Sequence, residues 1–416
     1  MDVECLHTTG QDWANHISQE LDSNGMICMA AILDGLPDAD TLKQSVMDSI
    51  ALQPVLGCRF DSQQDPPVWV PIGEGVEWFS VRQAEGWTEG IHAFLGEKPG
   101  GEQLSVRLIP CEPKTVLCIR VSHAAADGAG AKGYLSLLNR LYNARLAGEK
   151  PPVCQAQSRG EEQVFRACGI GDFRTLLRRE AIPSGSLVTF PYQAVNGQEV
   201  RHDWTSVPLA EMKAVPGCTV NDLLLAACAR ALAAGTEGEQ PVALNMTVDL
   251  RRYLPEGNAP AICNLSGMEK VCPAVSPGEP YIETAAKAAR ETLRIKADHP
   301  GLNSAASMAY LRMLPYAKAR EILRDASRRA SDSGLSAPIV SNLGWLYGGE
   351  MRFGGIQVTD VLPFTPAMHA PAFMIGVGSY GDHVTLSAGY YAEERSSVDV
   401  ERFLHRIKEE LTGSGR

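Results

Sequence analysis

Hydrophobic and polar residues follow two different periods along this chain. Short apolar runs bounded by polar or turn residues predict strands, and runs with an apolar residue every three or four positions predict amphipathic helices. The predicted strands are CMAAILD (28–34), VWVPI (68–72), EQLSVRLIP (102–110) and KTVLCIRVSH (114–123). Helices are predicted for DADTLKQSVMDSIAL (38–52) and for the segment with Leu135, Leu138 and Tyr142 on one face. The mixture predicts an α/β fold.

The apolar pattern is interrupted once near the middle of the chain. Residues 148 to about 163 show no clear period, which is typical of the start of a linker region. Mixed strand and helix patterns resume after it, so we expect two halves, 1–175 and 176–416. No repeat of 20–50 residues and no low-complexity tract is present.

Composition narrows the possible functions. The chain has 416 residues, 44% of them hydrophobic, and a net charge of −11. No block of Lys or Arg interrupts the acidic balance, which disfavours nucleic acid or an anionic membrane as a partner. The apolar runs are too short to span a bilayer, and the acidic, polar N-terminus is unlike a signal peptide. The 11 cysteines are scattered without a CxxC pair, which favours buried thiols in a reducing cytoplasm over disulfides or a zinc site.

The segment VSHAAADG (121–128) carries the main candidate chemistry. Alternation in the strand before it places His123 on the same face as Val121, at the end of an apolar row. A partly desolvated imidazole there stays neutral near pH 7, as a general base requires. Asp127 lies four residues on and is followed by Gly128, which permits a tight or left-handed backbone. The structural alternative is a buried histidine with Asp127 as the N-cap of the next helix.

Other motifs give weaker signals. GAGAKG (128–133) matches GxGxxG, but no strand ending in an acidic residue follows, as a dinucleotide fold would need. The second match, GVGSYG (376–381), leads into a predicted hairpin. His123 and Asp127 lack a third metal ligand nearby, and no GxSxG elbow supplies a covalent nucleophile. His369 is predicted to lie in a loop.

The HxxxDG motif between a strand and a helix resembles the active-site motif of the chloramphenicol-acetyltransferase-like superfamily of acyltransferases. This superfamily includes the condensation domains of nonribosomal peptide synthetases, the plant BAHD enzymes, and alcohol and polyketide-associated acyltransferases. Four other segments resemble family elements in the family's order: 33–60, TVNDLLLAACARALAAG (219–235), NMTVDLRRYLP (245–255) and PIVSNLG (338–344), the last similar to the family's late crossover segment. The resemblance covers nearly the whole chain.

The resemblance implies a fold and a reaction. The fold is α/β, with two similar chloramphenicol-acetyltransferase-like domains with mixed β-sheets, arranged as a V with a tunnel between them. Acyl donor and acceptor enter from opposite ends, and the acyl group moves from a thioester to a hydroxyl or amine without a covalent acyl-enzyme. The thioester, acyl-CoA or an acyl carrier protein's phosphopantetheine, is a substrate, and no cofactor is bound permanently.

The resemblance also assigns roles. His123 matches the base and Asp127 a structural acid paired with an arginine, while Gly128 keeps the bend compact and offers its amide. Arg251 is the first choice for that arginine, on a strand face shared with Asn245, Thr247 and Asp249, and Arg59 is the second. The alternative is that this polar face of the strand simply points to solvent. The expected tunnel residues are Ser122, Ser341 and Asn342; simple turn chemistry is the alternative for Asn342.

One position departs from the peptide-forming branch. Condensation domains usually carry HHxxxDG, and the first histidine is replaced here by Ser122. This pattern resembles the ester- and amide-forming branches. A standalone amide-forming enzyme acting on carrier-bound substrates and a non-catalytic carrier- or acyl-binding member remain alternatives; the intact His123 and Asp127 argue against the latter. We expect a cytoplasmic monomer that takes a small-molecule acceptor and, as one option, an acyl carrier protein.

Overall fold

The structure is a computed structural model that describes residues 5–73, 75–150, 158–177, 186–187, 197–255, 262–393 and 396–413. Its helices are α1 (Gly10–Leu21), α2 (Ala39–Leu52), α3 (Trp87–Gly96), α4 (Gly128–Leu146), α5 (Glu162–Ala167), α6 (Val220–Ala233), α7 (Tyr281–Lys296), α8 (Leu302–Leu311), α9 (Tyr316–Ser333) and α10 (Ser396–Thr412).

The strands form two large sheets and two small ones. They are β1 (Leu6–His7), β2 (Met26–Leu33), β3 (Cys58–Asp61), β4 (Val68–Pro71), β5 (Phe79–Val81), β6 (Leu104–Cys111), β7 (Lys114–Ser122), β8 (Glu199–Pro208), β9 (Gln240–Pro241), β10 (Leu244–Asp249), β11 (Ser266–Val271), β12 (Ala274–Val275), β13 (Ile339–Trp345), β14 (Arg352–Phe353), β15 (Ile356–Phe364), β16 (Ala367–Met368), β17 (Met374–Tyr380) and β18 (His383–Ala392).

The first large sheet has the order β14-β15-β2-β7-β6-β5. All eight residues of β2 are buried, because helices cover both faces of the sheet. Ile27 and Met29 face the core shared with α2 and α4, whereas Cys28 and Ala30 face the core shared with α3. Burial on both sides explains why β2 is a continuous apolar run rather than an alternating one.

The second large sheet has the order β11-β10-β13-β17-β18-β16, with β8 paired to the free side of β18. Residues of α6, α7 and α10 pack with this sheet in the largest apolar cluster of the described residues. The helix predicted from TVNDLLLAACARALAAG is α6. A capping box between Thr219 and Asp222 starts it, and Gly235, with a φ of 85°, follows its end.

The second half of the chain contributes two strands to the first large sheet. β14 and β15 come from the second half of the chain, yet β15 pairs antiparallel with β2, with Val361 opposite Ala31. The predicted halves 1–175 and 176–416 are therefore joined by residues 352–364 of the second half, which extend the first half's sheet. The PIVSNLG segment resembling a crossover forms β13 in the second sheet, and the crossing strands follow it.

Local predictions and structure agree for the strands and helices of the first half, within a few residues at their ends. The predicted linker shares its last residues with α5, and residues 151–157 of it lie outside the described residues. The extended strand predicted through Arg251 was wrong. β10 ends at Asp249, and Arg251 lies in a 3₁₀ turn, Leu250–Tyr253.

In the described parts of the chain, no helix is both long and apolar enough to cross a membrane.

Candidate active site

The HxxxDG motif forms the loop between β7 and α4. His123 is the first residue after β7, and its backbone N–H donates to the carbonyl of Gly25 at 2.7 Å. At the other end, Asp127 is the N-cap of α4, and its Oδ1 accepts from the backbone N–H of Gly130 at 2.7 Å. Asp127 therefore is an N-cap, as the structural alternative predicted, but this accounts only for Oδ1. Its second oxygen, Oδ2, has different partners.

Asp127 is also the acid of a buried ion pair. Arg251 Nη1 donates to Asp127 Oδ2 at 2.9 Å, and the backbone N–H of Leu265 donates to the same oxygen at 2.7 Å. Burial alone would raise the pKa of this carboxyl, but Arg251 and the two backbone donors together hold it below its ordinary value. The carboxylate is therefore ionised and fixed on all sides.

Residues Ile262–Leu265, the docking segment, bind the motif loop from the second half of the chain. The amide nitrogen of Asn264 donates to the carbonyls of His123 at 3.0 Å and Ala124 at 2.9 Å. The carbonyl of Cys263 accepts from Asp127 N at 3.3 Å. Asn264 is completely buried, so these bonds are shielded from water.

Two further buried charges support the docking segment. Asp12, in the first turn of α1, accepts from the Asn264 amide at 3.0 Å and from Trp69 Nε1 at 3.0 Å. Arg159 donates to the carbonyl of Ala125 at 3.0 Å and lies 3.4 Å from Asp12. The sequence analysis missed Asn264, Asp12 and Arg159. The signal for Asn264 was a lone amide in the apolar run Ile262–Leu265.

The His123 imidazole is held largely out of water. Desolvation lowers its pKa below the ordinary value, and this outweighs the opposing effects of its own backbone carbonyl, Asp127 and Asn264. Nδ1 is buried and makes no well-aligned hydrogen bond. The ring is therefore neutral at pH 7, as a proton acceptor must be.

Two cavities meet at His123. One, the α4 cavity, has a volume of about 110 Å³ and lies beside the start of α4. The other, the α1 cavity, has a volume of about 270 Å³ and lies against α1 and α8. The residues that line both are His123, Thr247, Ser266, Pro366 and Met374. Both sheets contribute walls to the α4 cavity, including Phe364 from the first and Ser341 from the second.

The predicted tunnel residues divide into two groups. Ser341 and Asn342 line the α4 cavity, and Thr247 donates to Ser341 Oγ at 3.4 Å. Asn342 also accepts from Gly344 N at 2.9 Å, so it takes part in the turn as well. Ser122 lines neither cavity. It is buried, and its hydroxyl accepts from the Gln19 amide at 2.9 Å.

Two expectations from the sequence, one on Gly128 and one on Arg59, need correction. Gly128 does not have the positive φ that its position suggested; instead, a Cβ there would lie 2.6 Å from the Leu343 side chain. The glycine therefore lets the Leu343 side chain pack closely against the start of α4. Arg59, the second choice as partner of Asp127, is exposed on β3, and Arg251 occupies that place.

Lys132 ties α4 to the second sheet at the edge of the α4 cavity. Its Nζ donates to the carbonyls of Leu343 at 3.0 Å and Trp345 at 3.3 Å. These carbonyls flank the irregularity in β13 that starts after Asn342. Burial lowers the pKa of Lys132, and Asp249 opposes this shift. The lysine thus fixes the wall that carries Ser341 and Asn342.

The weaker motifs have structural explanations. GAGAKG is the first part of α4, and GVGSYG covers the end of β17 and the turn into β18. His369 lies in a loop, stacked on Tyr391 with ring centroids 3.6 Å apart. Among the described residues, no group of three or more His, Cys, Asp or Glu side chains could hold a metal ion.

Comparison with known proteins places this geometry in a structural context. No protein-family model matches the chain, and no curated protein shows a significant match. Solved structures do match over 98% of the chain. The first condensation domain of the calcium-dependent antibiotic synthetase, bound to a substrate analogue, aligns with a TM-score of 0.67 at 15% identity over 96% of its own length. The chain has the condensation-domain fold.

Two other solved structures share the condensation-domain fold over similar lengths. Polyketide synthase associated protein 5 from Mycobacterium tuberculosis aligns with a TM-score of 0.65 at 15% identity over all of its chain. A starter condensation domain of rhizomide synthetase, in complex with C8-CoA, aligns with a TM-score of 0.65 at 15% identity over 95% of its chain. The resemblance and the two-lobed α/β fold expected from the sequence are thereby confirmed.

Proposed function

We propose that this protein is an acyltransferase that moves an acyl group from a thioester to a hydroxyl or amine acceptor. The observation that carries the proposal is the position of His123. Its neutral imidazole lies where the α4 and α1 cavities meet, so two substrates entering separately would both reach it. The ion pair of Asp127 and Arg251 fixes the loop behind the ring.

The proposed reaction is a direct transfer. Nε2 of His123 takes the proton of the acceptor as its oxygen or nitrogen attacks the thioester carbonyl. The resulting oxyanion collapses, the carbon–sulfur bond breaks, and the leaving thiolate takes the proton from the imidazolium. Gly128 and Ala129 line the α4 cavity, and first-turn N–H groups of a helix have no intrahelical acceptor, so we assign these two N–H groups and Ser341 Oγ as the donors to the oxyanion.

Several observations support a thioester donor and a cytoplasmic site of action. A structural neighbour was solved with C8-CoA, and others are domains of synthetases or a polyketide-associated protein. The ten described cysteines are all free thiols, as expected in a reducing compartment. We assign no permanently bound cofactor, and either acyl-CoA or an acyl carrier protein supplies the acyl group.

The test is an acyl-transfer screen that reads the release of free thiol. Acyl-CoAs of several chain lengths are paired with a panel of alcohols and amines, first with the wild-type protein and then with His123→Ala. For a productive pair, His123→Ala should lower kcat by roughly 10²–10⁴-fold without changing Tm. His405→Ala, an exposed histidine on α10, is the matched control and should retain full activity. Near-normal turnover in His123→Ala would remove this mechanism.

A further inference from the structure

The two cavities that meet at His123 differ in charge. The α4 cavity is lined by two acidic residues, Asp127 and Asp249, and by the basic residue Lys132. Among the described residues that line the α1 cavity, none is charged at neutral pH, since His123 is neutral. Its walls carry amides and hydroxyls between methionines, including Asn15, Ser18, Ser266, Ser304 and Met308.

An uncharged polar wall discriminates against ions. A charged ligand that enters it gives up hydration and meets no counter-charge, which costs free energy unless the charge is neutralised. A neutral hydroxyl group gives up less hydration free energy than an ion does, and the amides and hydroxyls of the wall can hydrogen-bond to it. Methionine side chains adapt to the apolar part of a ligand without specifying its shape.

Of the polar groups in the α1 cavity that keep hydrogen-bonding capacity, two are tied to the surroundings of His123. Gln11 is instead held against the backbone of Ser266, because its amide nitrogen donates to the Ser266 carbonyl and its oxygen accepts from the Ser266 N–H. Asn15 uses its Nδ2 to donate to Asn264 Oδ1 at 3.1 Å, which leaves its own oxygen as an acceptor. The Ser266 hydroxyl is the other group, and Ser266 also lines the α4 cavity beside His123.

We infer that the α1 cavity is the acceptor site and selects an uncharged alcohol, with the oxygen of Asn15 and the hydroxyl of Ser266 as the groups that recognise it. This inference rests on the proposed function and narrows it from a hydroxyl or amine to a hydroxyl. The charged α4 cavity takes the thioester arm. Asn15 is joined through Asn264 to the carbonyl of His123, so the recognising groups and the base belong to one hydrogen-bonded unit.

The experiment compares two probes of equal chain length, neutral 1,2-hexanediol and hexylammonium. Saturation-transfer NMR measures the binding of each to the wild type and to His123→Ala, and the thiol-release assay measures each as acceptor. Ser266→Asp and Asn15→Asp place a carboxylate in the cavity. Ser266→Asp leaves the bond between Asn15 and Asn264 in place, so it covers the case in which Asn15→Asp fails to fold. Asn143→Asp, the same substitution on α4 outside both cavities, is the matched control.

The wild type should bind the diol and use it as acceptor, with hexylammonium the poorer ligand. Ser266→Asp should shift the ratio of ammonium to diol binding at least about tenfold toward the ammonium, because it supplies the missing counter-charge. Asn143→Asp should leave the ratio unchanged. The inference would be overturned if the wild type bound both probes equally, or if the ratio of ammonium to diol binding stayed unchanged in both cavity variants. Transfer that depends on His123 could still be observed in that case, so the proposed function would stand. If the diol bound in a way that depends on Ser266, but no acyl transfer that depends on His123 were detected, the proposed function would be overturned instead.

Discussion

Arg251 Nη1 lies 2.9 Å from Asp127 Oδ2, and this contact joins the turn after β10 to the loop that carries His123. The side chains are 14% and 4% exposed, so the pair is buried. Arg251 Nη2 also donates to the carbonyl of Cys263, which binds the backbone of Asp127 from the other side. One arginine therefore holds both the acid and the docking segment, and in the proposed mechanism it positions His123.

Breaking this pair should reduce both stability and activity. Arg251→Met leaves the buried Asp127 without its counter-charge, which costs on the order of 3–5 kcal/mol of unfolding free energy. Asp127→Asn should cost less, because Arg251 Nη1 keeps Oδ1 of the half-exposed Asp249 as a partner at 3.1 Å. Denaturant titration and kcat measure the two effects. The double variant should lose less than the sum of the single variants, because neither remaining group is then an unpaired ion.

Arg59→Met is the control for this prediction, since Arg59 is an exposed arginine on β3. It should leave stability and turnover unchanged. A fully stable and active Arg251→Met, or strictly additive losses in the double variant, would show that the pair does not hold the loop.

Asn264 should affect turnover although it lines neither the α4 cavity nor the α1 cavity. Asn264→Ala removes the donor shared by the carbonyls of His123 and Ala124 and leaves those carbonyls buried without a partner. We expect kcat to fall roughly 10-fold or more because the base is misplaced, while KM changes little. Steady-state kinetics at pH 7 measure both parameters.

Asn139→Ala is the matched control, because Asn139 is also a buried amide that binds a backbone carbonyl, that of Arg352. Its loss should lower Tm without lowering kcat. Equal effects of the two variants on kcat would contradict a specific positioning role for Asn264.

Local patterns predicted the elements that carry the motif, because their burial is decided within the segment. The apolar run in CMAAILD (28–34) indicated β2, and the strand-to-helix change around His123 indicated the motif loop. The pairing of β15 with β2 was not predicted. It depends on residues more than 300 positions apart, and neither strand differs in composition from one that pairs locally.

The partners of the motif were predicted only where a second signal existed. Arg251 was predicted from the family resemblance, although the extended backbone conformation predicted for it was wrong. Asp12 carried a capping signal with Thr9, but nothing in that signal shows that its carboxylate also reaches Asn264. Ser122 was assigned to the tunnel by the family resemblance, but its hydroxyl is buried against the Gln19 amide of α1.

The pH dependence of turnover should report the lowered pKa of His123. The base must be neutral, so kcat/KM should rise with pH through that pKa and be constant at pH 7 and above. Because desolvation lowers the pKa, the inflection should lie below the ordinary value of 6.5. Asp127→Asn should move the inflection to a still lower pH, because the Asp127 charge raises this pKa. An inflection above 6.5 in the wild type would contradict the assignment.

No acyl group should become attached to the protein. Cys263, whose carbonyl binds the backbone of Asp127, has the pKa of its thiol raised to about 12 by burial, so it is not a thiolate at pH 7. Intact-protein mass spectrometry after incubation with acyl-CoA alone should show only the unmodified mass. A stoichiometric adduct on any Ser or Cys would replace the direct transfer with a two-step, covalent route.

The two sheets are also joined by an ion pair whose strength depends on pH. His383 on β18 places its Nε2 3.0 Å from Asp360 Oδ1 on β15, and the pair is only 19% and 23% exposed. The hydrogen bond that His383 donates to the Asp360 carboxylate raises the pKa of His383 to about 9, against burial, which lowers it. The folded state thus binds a proton more tightly than the unfolded state does. The resulting stability is complete below pH 6.5 and is lost as the pH rises through 9.

We therefore expect the wild type to lose at most about 3 kcal/mol of unfolding free energy between pH 6 and pH 9.5 through this group. Asp360→Asn removes the partner of the imidazolium, so this variant should be less stable than the wild type at pH 6 and close to it at pH 9.5. Urea unfolding at both pH values measures the difference. Asp382→Asn is the control, because Asp382 contacts Nδ1 of the same ring but is fully exposed, and water screens its charge. A wild type and an Asp360→Asn variant that lose the same stability over this range would show that the contact between β15 and β18 does not depend on the charge of His383.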